Sequence, residues 1–272
     1  MGPDDEDPER AARKHYRRDD LLGVVTAALQ RAGIDIESLA TDDLAGLDQL
    51  HAGSVGATEA VLDVLSLTPD VTLLDVGSGI GGPARLAADR HGSRVVGIDL
   101  SPDFVTLARD LTARVGLASS VSFDVGSATA LPYEDASFER AMLSHVGMNI
   151  ADKAAVFAEV RRVLAPDGRF ALFEQMRVGD GDLTFPLPWA DDEQSSFVRT
   201  HDDYVQLLTA AGFAIEHDEN RAAAIAAGGP PAPGDLTPAD LFGDGFGDRM
   251  TNNIVATMHG ILAPILIVAS AR

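Results

Sequence analysis

Cysteine is absent from the 272 residues, which removes disulfides, thiolate nucleophiles and cysteine-based zinc sites together. Lysine is nearly absent as well: only Lys14 and Lys153 occur, and 21 Lys and Arg face 42 Asp and Glu for a net charge of −21. Such a chain repels phosphate backbones, and its basic residues form no stripe beyond the small cluster of His15, Arg17 and Arg18. Nucleic-acid partners are therefore disfavoured. No run approaches the roughly 18 apolar residues of a membrane helix, and the opening Met1 to Arg10 is charged rather than signal-like. The expectation is a cytoplasmic chain with no membrane partner.

What the sequence does have is 46% hydrophobic residues, enough for one substantial core. Three regions are expected: a flexible tail over 1–18, a helical segment over 19–66, and an α/β domain over 67–272. The tail is acidic and proline-containing. The helical segment repeats Leu21, Leu22, Val25, Ala28 and Leu29 at three- and four-residue spacing, with further helices near 41–50 and through Glu59 to Leu65.

From Val71 onward, apolar runs alternate with helical patterns. Strands are expected at 71–76, 94–99, 120–124, 139–144, 168–175, 213–218 and 263–269, and helices at 83–90, 102–115 and 152–164. This rhythm predicts a Rossmann-like, mostly parallel sheet with helices on both faces. Thr200 and Asp203 form a capping-box variant that starts another helix. The turn-rich stretches 179–199 and 222–255 are expected to form a lid insertion over the site.

The run Asp75-Val-Gly77-Ser78-Gly79-Ile-Gly81-Gly82 follows the first strand directly, where a tight turn into a helix needs positive φ and close backbone approach to a ligand. Gly77, Gly79 and Gly82 also fit the dinucleotide fingerprint, so a nicotinamide or flavin oxidoreductase stands as an alternative. Asp75 separates the two readings: a carboxylate there repels a pyrophosphate and attracts an ammonium. Pro83 points the same way more weakly, because it removes a helix N–H that a pyrophosphate would use. Asp99 ends the second strand and can accept from ribose hydroxyls of either cofactor, or it can cap the helix after Ser101.

These segments resemble the class I S-adenosylmethionine-dependent methyltransferases. Leu74 to Gly81 resembles their first motif, Gly97-Ile-Asp99-Leu100-Ser101 their ribose-binding motif, and Gly126-Ser127-Ala128 with Leu131-Pro-Tyr133 their G-D-A…L-P-F segment. Arg162-Val-Leu-Ala-Pro166-Asp-Gly168-Arg resembles the turn before their fifth strand. The resemblance implies a seven-stranded sheet whose last strand, 263–269, runs antiparallel, and S-adenosylmethionine as cofactor. It further implies Asp75, Gly77, Ser78 and Gly79 near the methionine moiety, Asp99 on the ribose, Leu100 beside adenine, Ser127 and Ala128 at the adenine edge, and Ser144 at the amino-acid end. One departure is Ser127, where the family has an aspartate; a hydroxyl is a weaker acceptor. The segments around His51 and His145 resemble a bacterial subgroup near the sarcosine/dimethylglycine and ubiquinone-type methyltransferases.

Methyl transfer from a sulfonium needs positioning and exclusion of water more than acid–base chemistry. Where a proton must leave, histidine suits the task. His145, directly after the fourth strand, is the first candidate base; His51, in the glycine-rich turn before the core, is the weaker one, and His201 reads as structural. Glu174 and Asp191-Asp192-Glu193 could hold a cation, but the acidic run reads as a solvated face and no metal is expected. Phe185, Trp189, Phe197, Phe242 and Phe246 could line an acceptor pocket or cage an amine. The function expected is O- or N-methylation of a small-molecule metabolite, with C-methylation as alternative and a non-catalytic cofactor-binding module as a weaker one.

Overall fold

The computed structural model describes residues 8–17, 20–229, 231–232, 234–243 and 245–272. Among the described residues, four α-helices precede the sheet: α1 (Pro8–Tyr16), α2 (Leu21–Arg31), α3 (Thr41–Asp48) and α4 (Ser54–Leu65). The alternating core follows as β1 (Thr72–Val76), α5 (Gly82–His91), β2 (Arg94–Asp99), α6 (Pro102–Arg114), β3 (Val121–Val125), β4 (Phe138–Ser144), α7 (Lys153–Val163), β5 (Leu164–Arg177), α8 (His201–Ala210) and β6 (Phe213–Asn220). Three helices, α9 (Ala222–Ala227), α10 (Ala239–Phe242) and α11 (Phe246–Met258), lead to β7 (Leu262–Ala271).

The seven strands lie in the order β3-β2-β1-β4-β5-β7-β6. The pairs from β3 to β5 are parallel, and β7 runs antiparallel to both β5 and β6, as the sequence predicts. The inner strands β1 and β7 are buried along nearly their whole length because both faces are covered, whereas the edge strands β3 and β6 carry exposed polar residues. One buried cluster joins Leu143, Phe157, Phe170, Leu172 and Tyr204, and the other joins Leu62, Leu73, Ala87, Phe123 and Phe173. The order reverses at β1, whose neighbours are β2 and β4; ligands of open α/β sheets sit beyond the strand ends at such a point.

Several expectations change in detail. The turn at Ala165–Gly168 lies within β5, where the pairing jumps from Phe138 with Leu164 to Arg140 with Arg169 and Asp167 takes φ 61°. Residues 8–16 are helix where a flexible tail is expected, because Tyr16 is tied down by Phe104, Phe242 and Asn149; Met1–Asp7, Arg18 and Asp19 lie outside the described residues. Among its described residues, the turn-rich stretch 222–255 expected as a lid carries three helices. Within 179–199, Leu187 and Trp189 pack with Met148, Ala256 and Leu262. No helix among the described residues is long and apolar enough to cross a membrane.

Candidate functional site

The β1 strand ends in a loop that only glycine can build. Gly77 takes φ 75°, and a Cβ on it would meet Val146 Cγ2 at 2.3 Å. Its N–H and that of Ser78 both donate to Ile98 O, at 2.8 and 3.0 Å, which holds the loop against β2. Beneath the loop, Arg85 Nη2 donates to Asp48 Oδ2 at 2.8 Å, with both side chains buried.

Asp99 completes the loop from the end of β2. Gly79 N donates to its Oδ2 at 2.9 Å and Ser101 N to its Oδ1 at 2.8 Å. The helix α6 is capped by Ser101, whose Oγ accepts from Phe104 N. A carboxylate has about four lone-pair sites, so Asp99 keeps acceptor capacity toward the cleft. Burial raises its pKa.

Gly77, Gly79, Asp99, Leu100, Ser127, Ala128, Ser144, His51 and His145 all line one large cleft. Asp75 and Ser78 sit below its wall instead. Asp75 Oδ2 and Ser78 Oγ are buried without a hydrogen-bond partner. Burial, and then the charge of Asp99, push Asp75 up to about 8. An unpartnered acid at this depth is costly, and an ammonium at the loop would relieve it.

The roof of the cleft is α1, which sequence reasoning missed. Ser127 Oγ donates to Glu9 Oε1, and Thr129 Oγ1 donates to the same oxygen at 3.2 Å. Tyr16 packs edgewise on Phe104 and Phe242, and its hydroxyl donates to Asn149 Oδ1 at 3.1 Å. A carboxylate from a distant part of the chain, Glu9, thus stands beside Ser127. No local motif signals it.

The two histidines come together, with ring centroids 5.9 Å apart, and both pack on Phe173. Their nitrogens differ. His51 Nε2 lies 2.8 Å from Thr58 Oγ1 and its Nδ1 3.2 Å from Ala52 O. Thr58 in turn donates to Gln49 Oε1 at 2.5 Å, and Gln49 Nε2 to Asp48 Oδ1 at 2.8 Å. His145 has φ 55°, and both its ring nitrogens are buried without partners. Burial drives His51 down to about 4 and, with His51 alongside, drives His145 well below its ordinary value.

Buried groups hold the His145 loop. Glu174 Oε1 accepts from Val146 N at 2.7 Å and Gly147 N at 2.9 Å, and burial pushes its pKa up to about 7. Lys153 Nζ donates to Ile150 O at 2.8 Å and Phe197 O at 2.6 Å, stapling this loop to the segment 179–199. Glu174 does not face the cleft, so it holds a loop rather than a cation. Asp191 pairs with Arg249, and Asp192 is bonded by Ser195, which separates the acidic run from the site. No three metal-ligating side chains converge among the described residues.

Of the expected cover aromatics, Trp189, Phe242 and Phe246 line the cleft and Phe185 and Phe197 do not. Phe242 and Phe246 stack with centroids 4.9 Å apart. His201 Nε2 lies 2.8 Å from Asp218 Oδ2, away from the cleft, in keeping with a structural role. Its helix carries the expected box between Thr200 and Asp203.

A family model described as a methyltransferase domain matches residues 74–172. Methyltransferase GfsG of Streptomyces halstedii is 35% identical over 130 residues, which cover 48% of this chain and 47% of that protein. The chain therefore spans about half the length of this curated relative. Among solved structures, the [4+2]-cyclase SpnF aligns with TM-score 0.67 at 21% identity, covering 97% of this chain and 96% of that one. A geranyl diphosphate C-methyltransferase from Streptomyces coelicolor A3(2), in complex with S-adenosyl-L-homocysteine, aligns with TM-score 0.70 at 16% identity over 100% of both chains. The fold is that of the class I S-adenosylmethionine-dependent methyltransferases.

Proposed function

We propose that this chain transfers the methyl group of S-adenosylmethionine to a small-molecule acceptor. One observation carries the reading: an open glycine loop at the switch point of the sheet, with Asp99 bonded to Gly79 N on one side and the unpartnered Asp75 beneath. Asp75 suits a cation and opposes a pyrophosphate, which sets aside the nicotinamide and flavin alternative. Asp99 suits a ribose, and Leu100, Ala128 and Ser127 with Glu9 suit a purine edge. The match to a methyltransferase domain model supports the same reading. So does the subgroup resemblance around His51 and His145.

Bound there, S-adenosylmethionine would supply an electrophilic methyl group with a neutral leaving group. The protein's own work would then be to orient the acceptor and exclude water. His145 is the candidate to take a proton, since neither ring nitrogen is committed elsewhere. His51, engaged by Thr58 and Ala52, reads as its positioning neighbour. A histidine whose pKa is pushed so low is a weak base. It would serve only a strongly acidic proton, such as the one beside the cationic carbon that an alkene acceptor would carry after taking the methyl group. A proton released from the methylated acceptor would pass to His145. A carbon acceptor is thus favoured over one that must first lose a weakly acidic hydroxyl proton.

A fold shared with a cyclase does not by itself dictate methyl transfer. Calorimetric titration with S-adenosylmethionine, S-adenosylhomocysteine and NAD(P)H tests the reading. Saturable binding of the two sulfur compounds alone is expected. Binding of a dinucleotide instead would overturn it.

A further inference from the structure

The cleft has a volume of about 1830 Å³, well beyond the roughly 300–1,000 Å³ that accommodates one drug-sized ligand. A nucleoside held between Asp99 and Ser127 fills only one side. Elsewhere its lining includes the apolar side chains of Met148, Trp189, Ile225, Met250, Ile254 and Met258. The polar residues that α11 adds to the lining, Asn253 and Thr257, are uncharged.

The charges around the whole cleft are one-sided. Glu9, Asp42, Asp43, Asp99, Asp152 and Asp235 face it, against Arg13 alone among the described lysines and arginines. Arg13 belongs to α1, one turn beyond Glu9, and so to the side that roofs Ser127. An anionic group placed against the apolar wall would lose its hydration without a counter-cation. It would also enter against the field of a chain with net charge −21.

The rim points to the same ligand chemistry. Ile254 is 51% exposed and Met258 79% exposed, both on α11 and both lining the opening. Apolar side chains of this size standing in water at a cavity mouth mark an apolar ligand's route in. Methionine, flexible and polarizable, adapts to irregular apolar shapes. Met148, Met250 and Met258 place three such side chains in the lining.

We infer that this side of the cleft binds a large apolar acceptor carrying no phosphate, sulfate or carboxylate. The inference rests on the methyltransferase reading only for what happens to the ligand after it binds. The test reads binding, so its failure is distinct from failure of the cofactor titration. The full chain, saturated with S-adenosylhomocysteine, is titrated with the neutral dye Nile red, and estrone and estrone sulfate then compete for the site.

Saturable dye binding is expected, with estrone displacing the dye at least tenfold more effectively than its sulfate. Ile254→Asp should weaken dye and estrone binding at least tenfold. Met258→Arg should narrow the preference against the sulfate severalfold. Both positions are half-exposed or more, so both variants fold. Absence of saturable dye binding, equal or better displacement by the sulfate, or indifference to both variants would overturn the inference.

Discussion

Glu9 and Ser127, 118 positions apart in the chain, share a hydrogen bond in which the serine hydroxyl donates to the carboxylate. A polar edge of the cleft is thereby divided between the roof helix α1 and the loop after β3. Glu9→Ala is expected to weaken S-adenosylmethionine binding roughly five- to tenfold, matching the about 1–1.5 kcal/mol of one polar interaction. Calorimetry on the full chain measures it. An unchanged affinity would mean that the roof does not touch the cofactor.

Asp75 predicts a pH dependence of the ligand-free protein. Its folded-state pKa of about 8 exceeds the ordinary value of 3.8, so the folded chain binds a proton that the unfolded chain has released. The stabilisation is complete below pH 3.8 and is lost as pH rises toward 8. Each pH unit in that window costs up to about 1.4 kcal/mol. Thermal melts at pH 6 and pH 8 should show the ligand-free chain less stable at the higher value, and Asp75→Asn should reduce the difference. A cationic ligand acts oppositely, because it favours the carboxylate. S-adenosylmethionine affinity should therefore rise from pH 6 to pH 8 in the native chain and much less in the variant.

The ion pair beneath the glycine loop is expected to be structurally decisive. Arg85 and Asp48 are both buried, and removing one partner strands the other charge. Asp48→Ala should cost about 3–5 kcal/mol in urea unfolding. A loss under 1 kcal/mol, on the scale of a surface pair, would contradict this. The same variant should loosen His51, since Asp48 anchors the chain through Gln49 and Thr58.

His145→Leu separates function from stability. The substitution removes two buried nitrogens that have no partner, so thermal stability should hold or rise by about 1–3 kcal/mol. Turnover with an accepted substrate should fall by about 10²–10⁴ while cofactor affinity is retained. Undiminished turnover would remove His145 as the base.

The sheet and its loop were legible because their signals are local. An apolar run ending in Asp75-Val-Gly77 can turn only one way, and the alternation after it has a fixed period. The roof was not legible. In α1, Pro-Glu-Arg-Ala-Ala-Arg-Lys-His-Tyr offers only Ala11, Ala12 and Tyr16 as an apolar side, and no residue of it is buried. It is fixed by Tyr16 against Phe104 and Phe242 and by Glu9 on Ser127, contacts visible only after folding. The helix α11 was hidden by Gly247 and the pair Asn252-Asn253, residues that favour turns over helix. The histidine pairing was equally silent, since His51 and His145 stand on separate segments that only the sheet brings together.

The placement of β7 sets an order of assembly. Within the sheet β6 has no neighbour except β7, so during synthesis it waits unpaired until Leu262–Ala271 has emerged. The parallel core from β3 to β5 can gather first, while the edge of β5 that later pairs with β7 stays open. Closure of the sheet is therefore a late, long-range event. A ribosome stalled before Leu262 would hold a half-built sheet with an exposed edge.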